Sequence, residues 1–235
     1  MQDFGSAFGL AFELIVGFDT DLLAIVGLSL RVTFAALLIS CLIGLPIGAA
    51  LAVSSFPGRG ALVVTFNTMM GLPPVVVGLL AYMMLSNAGP LGVLKLLYTP
   101  GAMVIAQTIL VTPIVVALSR QMIEDLNKEY AEQFRSLVVP FPTAMAALLW
   151  DARFALATVA LAGFGRAIAE VGAVMIVGGN INHVTRVMTT AIALETSKGD
   201  LALALALGII LLIIAMAVNA AVQGINAKAR RNAYA

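Results

Sequence analysis

The sequence predicts an all-α membrane protein with five transmembrane helices, and three observations carry that prediction. Of its 235 residues, 61% are hydrophobic and 11% charged, against about 45–50% and about 25% in ordinary soluble domains. Four stretches contain no charge: 27 residues between Arg31 and Arg59, 35 between Arg59 and Lys95, 24 between Lys95 and Arg120, and 27 between Asp200 and Lys228. Each exceeds the ~20 residues that a helix needs to cross the hydrocarbon. A fifth apolar stretch, Phe154 to Val177, is also long enough, although Arg166 and Glu170 lie inside it. Too little polar surface remains for a water-soluble globule, and the composition is the opposite of a disordered chain.

The spans are expected near Leu23 to Val53, Ala61 to Ser86, Ala102 to Ser119, Phe154 to Val177 and Leu201 to Val222. They are read as helices because lipid offers the backbone no hydrogen-bond partner and the runs do not alternate as barrel strands do. Segment 1–22 precedes them. It holds Asp3, Glu13, Asp19 and Asp21 and no basic residue, so a cleaved signal peptide is not expected. Phe4, Phe8, Phe12 and Ile15 recur at helical spacing, as either an outer interfacial helix or the start of the first span. The first run is longer than the membrane is thick, so it tilts, bends at Pro46 or begins outside. In the second run, Pro73 and Pro74 should interrupt the hydrogen-bond ladder at membrane depth.

Basic residues orient the chain. One side holds Arg59, Arg120, Lys128, Arg135, Arg153, Lys228, Arg230 and Arg231, and the other holds Lys95, Arg186 and Lys198. The positive-inside rule then places the amino terminus outside and the carboxyl terminus inside, as an odd number of spans requires. The expected organisation is an outer segment at 1–22, a membrane domain at 23–226 with a cytoplasmic segment at 121–153, and a cytoplasmic tail at 227–235.

Within the cytoplasmic segment, Ile123, Leu126, Tyr130, Phe134 and Leu137 follow a 3.6-residue period, with Glu124, Lys128, Glu132 and Arg135 on other faces. Pro140 and Pro142 end that amphipathic helix, and Pro142 suits the first turn of a short helix from Thr143 to about Leu149. A helical hairpin with a partly apolar tip results. Such a tip either docks in a groove of a partner or folds back on the bilayer.

Arg166 and Glu170 are four residues apart, and no other predicted span carries charges of both signs in its interior. One such side chain at mid-membrane costs roughly 2.5–3.5 kcal/mol on insertion scales. An ion pair offsets part of that cost, so both should face protein or water. Either Arg166 helps an anion through a translocation path with Glu170 holding it in place, or the two form a structural or gating pair. Thr189 and Thr190 offer hydroxyls to a passing oxyanion or satisfy their own backbone. Gly44-Leu-Pro-Ile-Gly48 fits a small-xxx-small contact within or between subunits.

Cys41 has no second thiol, and His183 has no nearby ligand set, so neither a disulfide nor a metal site is expected. The net charge of +1 does not point to nucleic acid. The chain contains no phosphate loop of the Gly-x4-Gly-Lys-Ser/Thr type and no His-Glu-x-x-His, so chemistry on ATP would need another chain.

The hairpin resembles the cytoplasmic loop of permeases of binding-protein-dependent ABC importers, whose pattern is Glu-Ala-Ala, three residues, Gly, nine residues, Ile-x-Leu-Pro. Glu132 matches the Glu, whereas Gln133 and Phe134 replace the two Ala, Val138 the Gly, Leu148 the Ile, and Trp150-Asp151 the Leu-Pro. Its position also matches, between the third and fourth of five spans. Gly165-Arg-Ala-Ile-Ala-Glu-Val-Gly-Ala173 followed by Gly179-Asn-Ile181 resembles the molybdate, sulfate and tungstate branch. The stretches Gly71-Leu-Pro-Pro-Val-Val-Val-Gly78 and Thr185 to Asp200 are similar to tungstate-type permeases specifically.

The resemblance implies a type I importer permease fold that performs no covalent catalysis and needs no cofactor. It also implies a homodimer in membrane lipid, working with an ATP-binding cassette ATPase subunit and an extracytoplasmic oxyanion-binding protein. Five helices enclose little space alone, and a two-fold axis lets two copies line one path. Coupling to the ATPase would fall to Glu132, Val138, Pro140, Pro142, Ala146 and Leu149. Path or gate positions would be Pro73, Pro74, Arg166, Glu170, Thr189 and Thr190. Tungstate is the expected ion, with molybdate or sulfate as the alternative. A passive anion channel or a membrane scaffold is the rival from another class.

Overall fold

The computed structural model describes residues 4–17 and 19–233, apart from the side chains of residues 4–7, 225, 226 and 228–233. Of the segment at 1–22, residues 1–3 and 18 and the side chain of Phe4 lie outside the described residues. The same holds for residues 234 and 235 and the side chains of Lys228, Arg230 and Arg231 in the tail at 227–235.

Among the described residues all regular structure is helical. The order is α1 (Phe4–Val16), α2 (Thr20–Val53), α3 (Arg59–Met69), α4 (Pro74–Leu85), a 3-10 turn (Gly92–Leu94), α5 (Pro100–Ser136), α6 (Phe141–Asp151), α7 (Arg153–Ile168), α8 (Gly172–Gly178), α9 (Met188–Lys198) and α10 (Leu201–Ala233). Three helices are long and apolar enough to cross a membrane unbroken: α2, α5 and the stretch Leu201–Gly224 of α10. The count rises to five if the broken pairs α3 with α4 and α6 with α7 each make one span.

Three boundaries depart from the sequence expectation. The run from Phe154 to Val177 is not one helix: α7 stops at Ile168, and α8 begins only after Ala169, Glu170 and Val171. The third span and the amphipathic helix after it are a single helix, α5, because Arg120, Gln121 and Met122 include no helix breaker. Its 37 residues extend about 55 Å at the usual rise, against ~30 Å of hydrocarbon, so its charged second half projects beyond the apolar layer. The short helix expected at Thr143 to Leu149 runs from Phe141 to Asp151 and meets α7 at a bend of 74°. By contrast, Pro46 and Pro113 lie inside α2 and α5 without ending either helix.

The chain forms two compact units. The first comprises Met1–Ala36, Pro73–Gln107 and Arg166–Val218. Here α4 lies directly on α8. A Cβ on Gly78 would come within 2.7 Å of the Ala173 Cα, and one on Gly172 within 3.0 Å of Val75 Cγ2. Met103, Ala106, Val174, Val177 and Leu207 of this unit are all buried. Tyr98 donates its backbone N–H to the Val177 carbonyl at 2.9 Å, tying the start of α5 to the end of α8.

The second unit comprises Leu37–Leu72, Thr108–Gly165 and Asn219–Ala235. Gly44 and Gly48 bring α2 against α5 within this chain: a Cβ on Gly44 would meet Val115 Cγ1 at 2.8 Å, and one on Gly48 the Val116 carbonyl at 2.9 Å. Alongside, the Thr112 hydroxyl donates to the Thr108 carbonyl at 2.7 Å and lies 3.3 Å from the Ser40 hydroxyl. Close backbone approach and hydroxyl bonds of this kind hold helices together where lipid removes the hydrophobic drive. At the polar end of the unit, Glu124 accepts from Arg120 and, at 3.0 Å, from Arg59, whose Nε also donates to the Leu51 carbonyl at 2.7 Å.

Replacing Gly78 with Leu should lower stability by about 1–3 kcal/mol through overpacking, read as a lower Tm of the detergent-solubilised protein. Gly208→Ala, where an added Cβ meets nothing within 4 Å, should leave Tm unchanged or slightly raised. An unchanged Tm for Gly78→Leu would contradict the α4–α8 contact.

Candidate functional site

The break between α7 and α8 is the most polar place in the first unit, and its chemistry follows from the backbone groups it frees. The Ala167 carbonyl accepts the Gln107 side-chain amide at 3.0 Å. Glu170 interrupts the chain with its side chain only 5% exposed. Its Oε1 accepts the Ala173 N–H at 3.1 Å, capping α8, and its backbone carbonyl accepts the Thr189 hydroxyl at 2.7 Å. Arg166 Nη2 stands 3.9 Å from Glu170 Oε2, at the outer limit of an ion pair, with its side chain 35% exposed. The stronger bond of the carboxylate is therefore to the start of α8.

A cavity of about 10 Å³ lies beside the break, bordered by Ser29, Thr33, Gln107, Glu170 and Thr189. It is large enough for one water molecule, and the Gln107 Oε1 is buried there without a protein partner. On the cavity's other side, the Ser29 hydroxyl accepts the Met188 N–H at 2.7 Å and donates to the Ile25 carbonyl at 2.7 Å, linking α2 to the first turn of α9.

Thr189 and Thr190 are both buried, and their hydroxyls bond to backbone groups. Thr190 is fully buried, and its hydroxyl pairs with the N–H and carbonyl of Val187 at 3.1 Å each. The preceding loop is built by side chains. Gly179 ends α8 at φ +71, Asn180 donates to the Thr190 carbonyl at 3.3 Å, and the Thr185 hydroxyl donates to the Gly178 carbonyl at 2.5 Å while accepting the Ile181 N–H. Glu195, also buried, faces Arg186 at 3.9 Å and Lys198 at 2.9 Å. Pro73 caps α4 and Pro74 is its first residue, so neither lacks a bond that the helix would have supplied.

In the second unit the charged half of α5 ends in a Schellman turn. The Val139 N–H reaches the Phe134 carbonyl at 3.0 Å and the Val138 N–H the Arg135 carbonyl at 3.2 Å. This turn requires a left-handed residue, and Val138 takes it at φ +50. The importer-loop pattern places Gly at this position; here a β-branched residue keeps the turn at the expense of backbone strain, and Pro140 follows as the cap of α6. The tip is strongly apolar, with Leu137 73% and Val138 83% exposed. Glu132, Pro142 and Ala146 are exposed as well, and Leu149 is half-buried. At the base of the hairpin, the Tyr130 hydroxyl donates to Asp151 at 2.9 Å and so ties α5 to the end of α6.

Sequence reasoning missed Gln107, Ser29 and Glu124. The i,i+4 spacing of Arg120 and Glu124 was the one signal available, whereas Gln107 and Ser29 acquire their roles only from partners 60 and 159 positions away. Among the described residues no group of His, Cys, Asp and Glu is placed to hold a metal ion.

Broken helices with internally satisfied ends, paired across glycines, together with a charged helical hairpin, define a polytopic helical membrane protein of the permease type. Residues 44–231 match the family described as binding-protein-dependent transport system inner membrane component, and the chain belongs to that family. It is 37% identical over 225 residues to the tungstate uptake system permease protein of Peptoclostridium acidaminophilum, covering 96% of this chain and 99% of that one. A tungstate uptake permease of Campylobacter jejuni is 42% identical over 153 residues, covering 65% of this chain and 64% of that one. A probable anion ABC transporter permease of Haloferax volcanii is 39% identical over 206 residues, 86% of this chain and 89% of that one. Sulfate and molybdenum permeases are more distant, at 28% and 27% identity.

Two outcomes follow from the hairpin. Val138→Gly should stabilise the protein by about 1 kcal/mol, the usual cost of a left-handed non-glycine residue, seen as a higher Tm. The Asp151 carboxylate, first by its hydrogen bond and then by its charge, holds the Tyr130 phenol above its ordinary value. A proton retained in the folded state means that this contact stabilises fully below the unfolded tyrosine pKa and is lost as pH rises through the folded one. Asp151→Asn should therefore move Tyr130 to a lower titration midpoint in ultraviolet phenolate spectra, relative to a Tyr130→Phe baseline.

Proposed function

We propose that this chain is the membrane-spanning subunit of an ATP-driven oxyanion importer and that its ion is tungstate. The observation that carries the ion is the 37% identity to a tungstate uptake permease over 96% of the chain. In this reading two copies form a homodimer with amino termini outside and carboxyl termini inside, joined by two ATPase subunits and an extracytoplasmic binding protein. ATP hydrolysis belongs to the ATPase, and this subunit is a translocation element without catalytic residues.

The hairpin tip from Glu132 through Val138, Pro140, Pro142, Ala146 and Leu149 is the coupling surface in this reading. Its support is physical: exposed Leu137, Val138 and Phe141 on a charged stem need an apolar groove to enter. The path or gate is assigned to the two breaks, Pro73-Pro74 and Arg166 to Glu170, together with Thr189 and Thr190. Arg166 is the group of this set with exposed charge, whereas Glu170, Thr189 and Thr190 hold the surrounding backbone in place.

Molybdate and sulfate remain the second reading, because tetrahedral dianions share charge and shape. Cells bearing the complete system should take up labelled tungstate, and excess molybdate should compete only weakly. Molybdate uptake without tungstate entry or competition would overturn the choice of ion, and flux through the purified chain without ATPase and ATP would overturn the importer itself in favour of a channel. Ala146→Glu should abolish co-purification of the ATPase, since docking would bury an unpaired charge; an unchanged complex would count against this docking face.

A further inference from the structure

The second unit carries an apolar groove of about 530 Å³ between α2 and the α6–α7 bend. This is within the roughly 300–1,000 Å³ typical of small-ligand sites. Cys41, Leu45 and Pro46 form one wall, and Leu156, Ala157 and Ala160 the other. Ala157 and Ala160 are three residues apart on one face of α7, and their small side chains open the channel. At one end stands Arg153, the first residue of α7.

We propose that this groove holds an acyl chain of an anionic phospholipid whose headgroup phosphate sits on Arg153. The arginine is pre-positioned for that role. Its guanidinium carbon lies 4.7 Å from the Trp150 ring centroid and 4.4 Å from that of Phe154, and Nη1 donates to the Trp150 carbonyl at 2.6 Å. One of its five N–H donors is thus engaged, and among the described residues no carboxylate forms an ion pair with it. Trp150 is 72% exposed, as aromatic side chains are at a membrane–water interface. From Arg153 to Ala160 the groove follows α7 for about 10 Å, leading from a fixed cation into apolar depth. That polarity matches a charged headgroup continued by a hydrocarbon tail, and a neutral or fully apolar occupant would leave the arginine without a counter-charge.

Cys41 is the only cysteine in the sequence, so the groove has its own reporter. The full-length chain in mild detergent is titrated with dioleoyl phosphatidylglycerol or with dioleoyl phosphatidylcholine. Native mass spectrometry follows retention, and maleimide alkylation follows Cys41. Phosphatidylglycerol should be retained and should slow alkylation, whereas phosphatidylcholine should do neither. Arg153→Gln should weaken phosphatidylglycerol retention about fivefold, the worth of one interfacial basic residue, and remove the protection, while Arg153→Lys should restore part of both. Ala157→Trp should block the groove and abolish retention with the circular dichroism spectrum unchanged. Equal retention of the two lipids would overturn the proposal. So would protection of Cys41 that follows protein concentration instead of lipid, which would make a second copy of the chain the occupant.

Discussion

Every N–H and carbonyl placed at membrane depth must find a partner inside the protein, and the rest of this structure depends on that constraint. Where α7 stops at Ile168, the freed groups find partners within the chain. Gln107 from α5, Thr189 from α9 and the Glu170 side chain itself supply the bonds. Three helices are thereby positioned by polar contacts of fixed length and direction, which generic apolar packing does not provide. The bond from Met188 to Ser29 extends the set to α2. A short break in one helix thus ties together α2, α5, α8 and α9 of the first unit.

Packing follows a second consequence of the same solvent. Lipid tails are as apolar as leucine, so helices gain little by hiding apolar surface from them, and close approach becomes the main source of attraction. Gly78 on Ala173 and Gly48 on Val116 are two places where a glycine lets the backbone of one helix approach that of another closely. Two of the segments with the most specific resemblance, Gly71 to Gly78 and Gly165 to Ala173, meet at the first of these contacts. Gly78 and Gly172 are explained by that contact without reference to an ion.

Much of this was legible in the sequence, and what was not has identifiable causes. The spans show because charge is absent from long runs, a property local to each run. Continuity of α5 was hidden because charge begins at Arg120, which alters solubility along a helix but breaks nothing. The stop at Ile168 was hidden for the opposite reason: Ala169 and Val171 signal no break, and the bonds that stabilise it come from Gln107 and Thr189, far away in the chain. Pro73 and Pro74, whose missing N–H groups act locally, were readable at once. At Val138 the glycine of the resembling pattern is replaced, yet the hydrogen bonds from Val138 and Val139 retain the turn. Thr189 and Thr190 show how little a hydroxyl reveals alone, since burial decides whether it faces a path or the backbone.

The geometry also resolves a conflict over charge. An anion path is poorly served by a free carboxylate, and Glu170 sits within the segment most similar to oxyanion permeases. Its charge is directed at the Ala173 N–H, inside the protein, and its side chain is almost wholly enclosed. Arg166, one turn earlier, holds it only at 3.9 Å and keeps about a third of its side chain exposed. The pair is thus electrically uneven: the negative member is occupied by the helix it caps, and the positive member retains most of its capacity to attract. In the path proposed above, that imbalance is what passage of a dianion without trapping would require: a modest positive bias supported by a carboxylate that orients the backbone and does not compete for the ion.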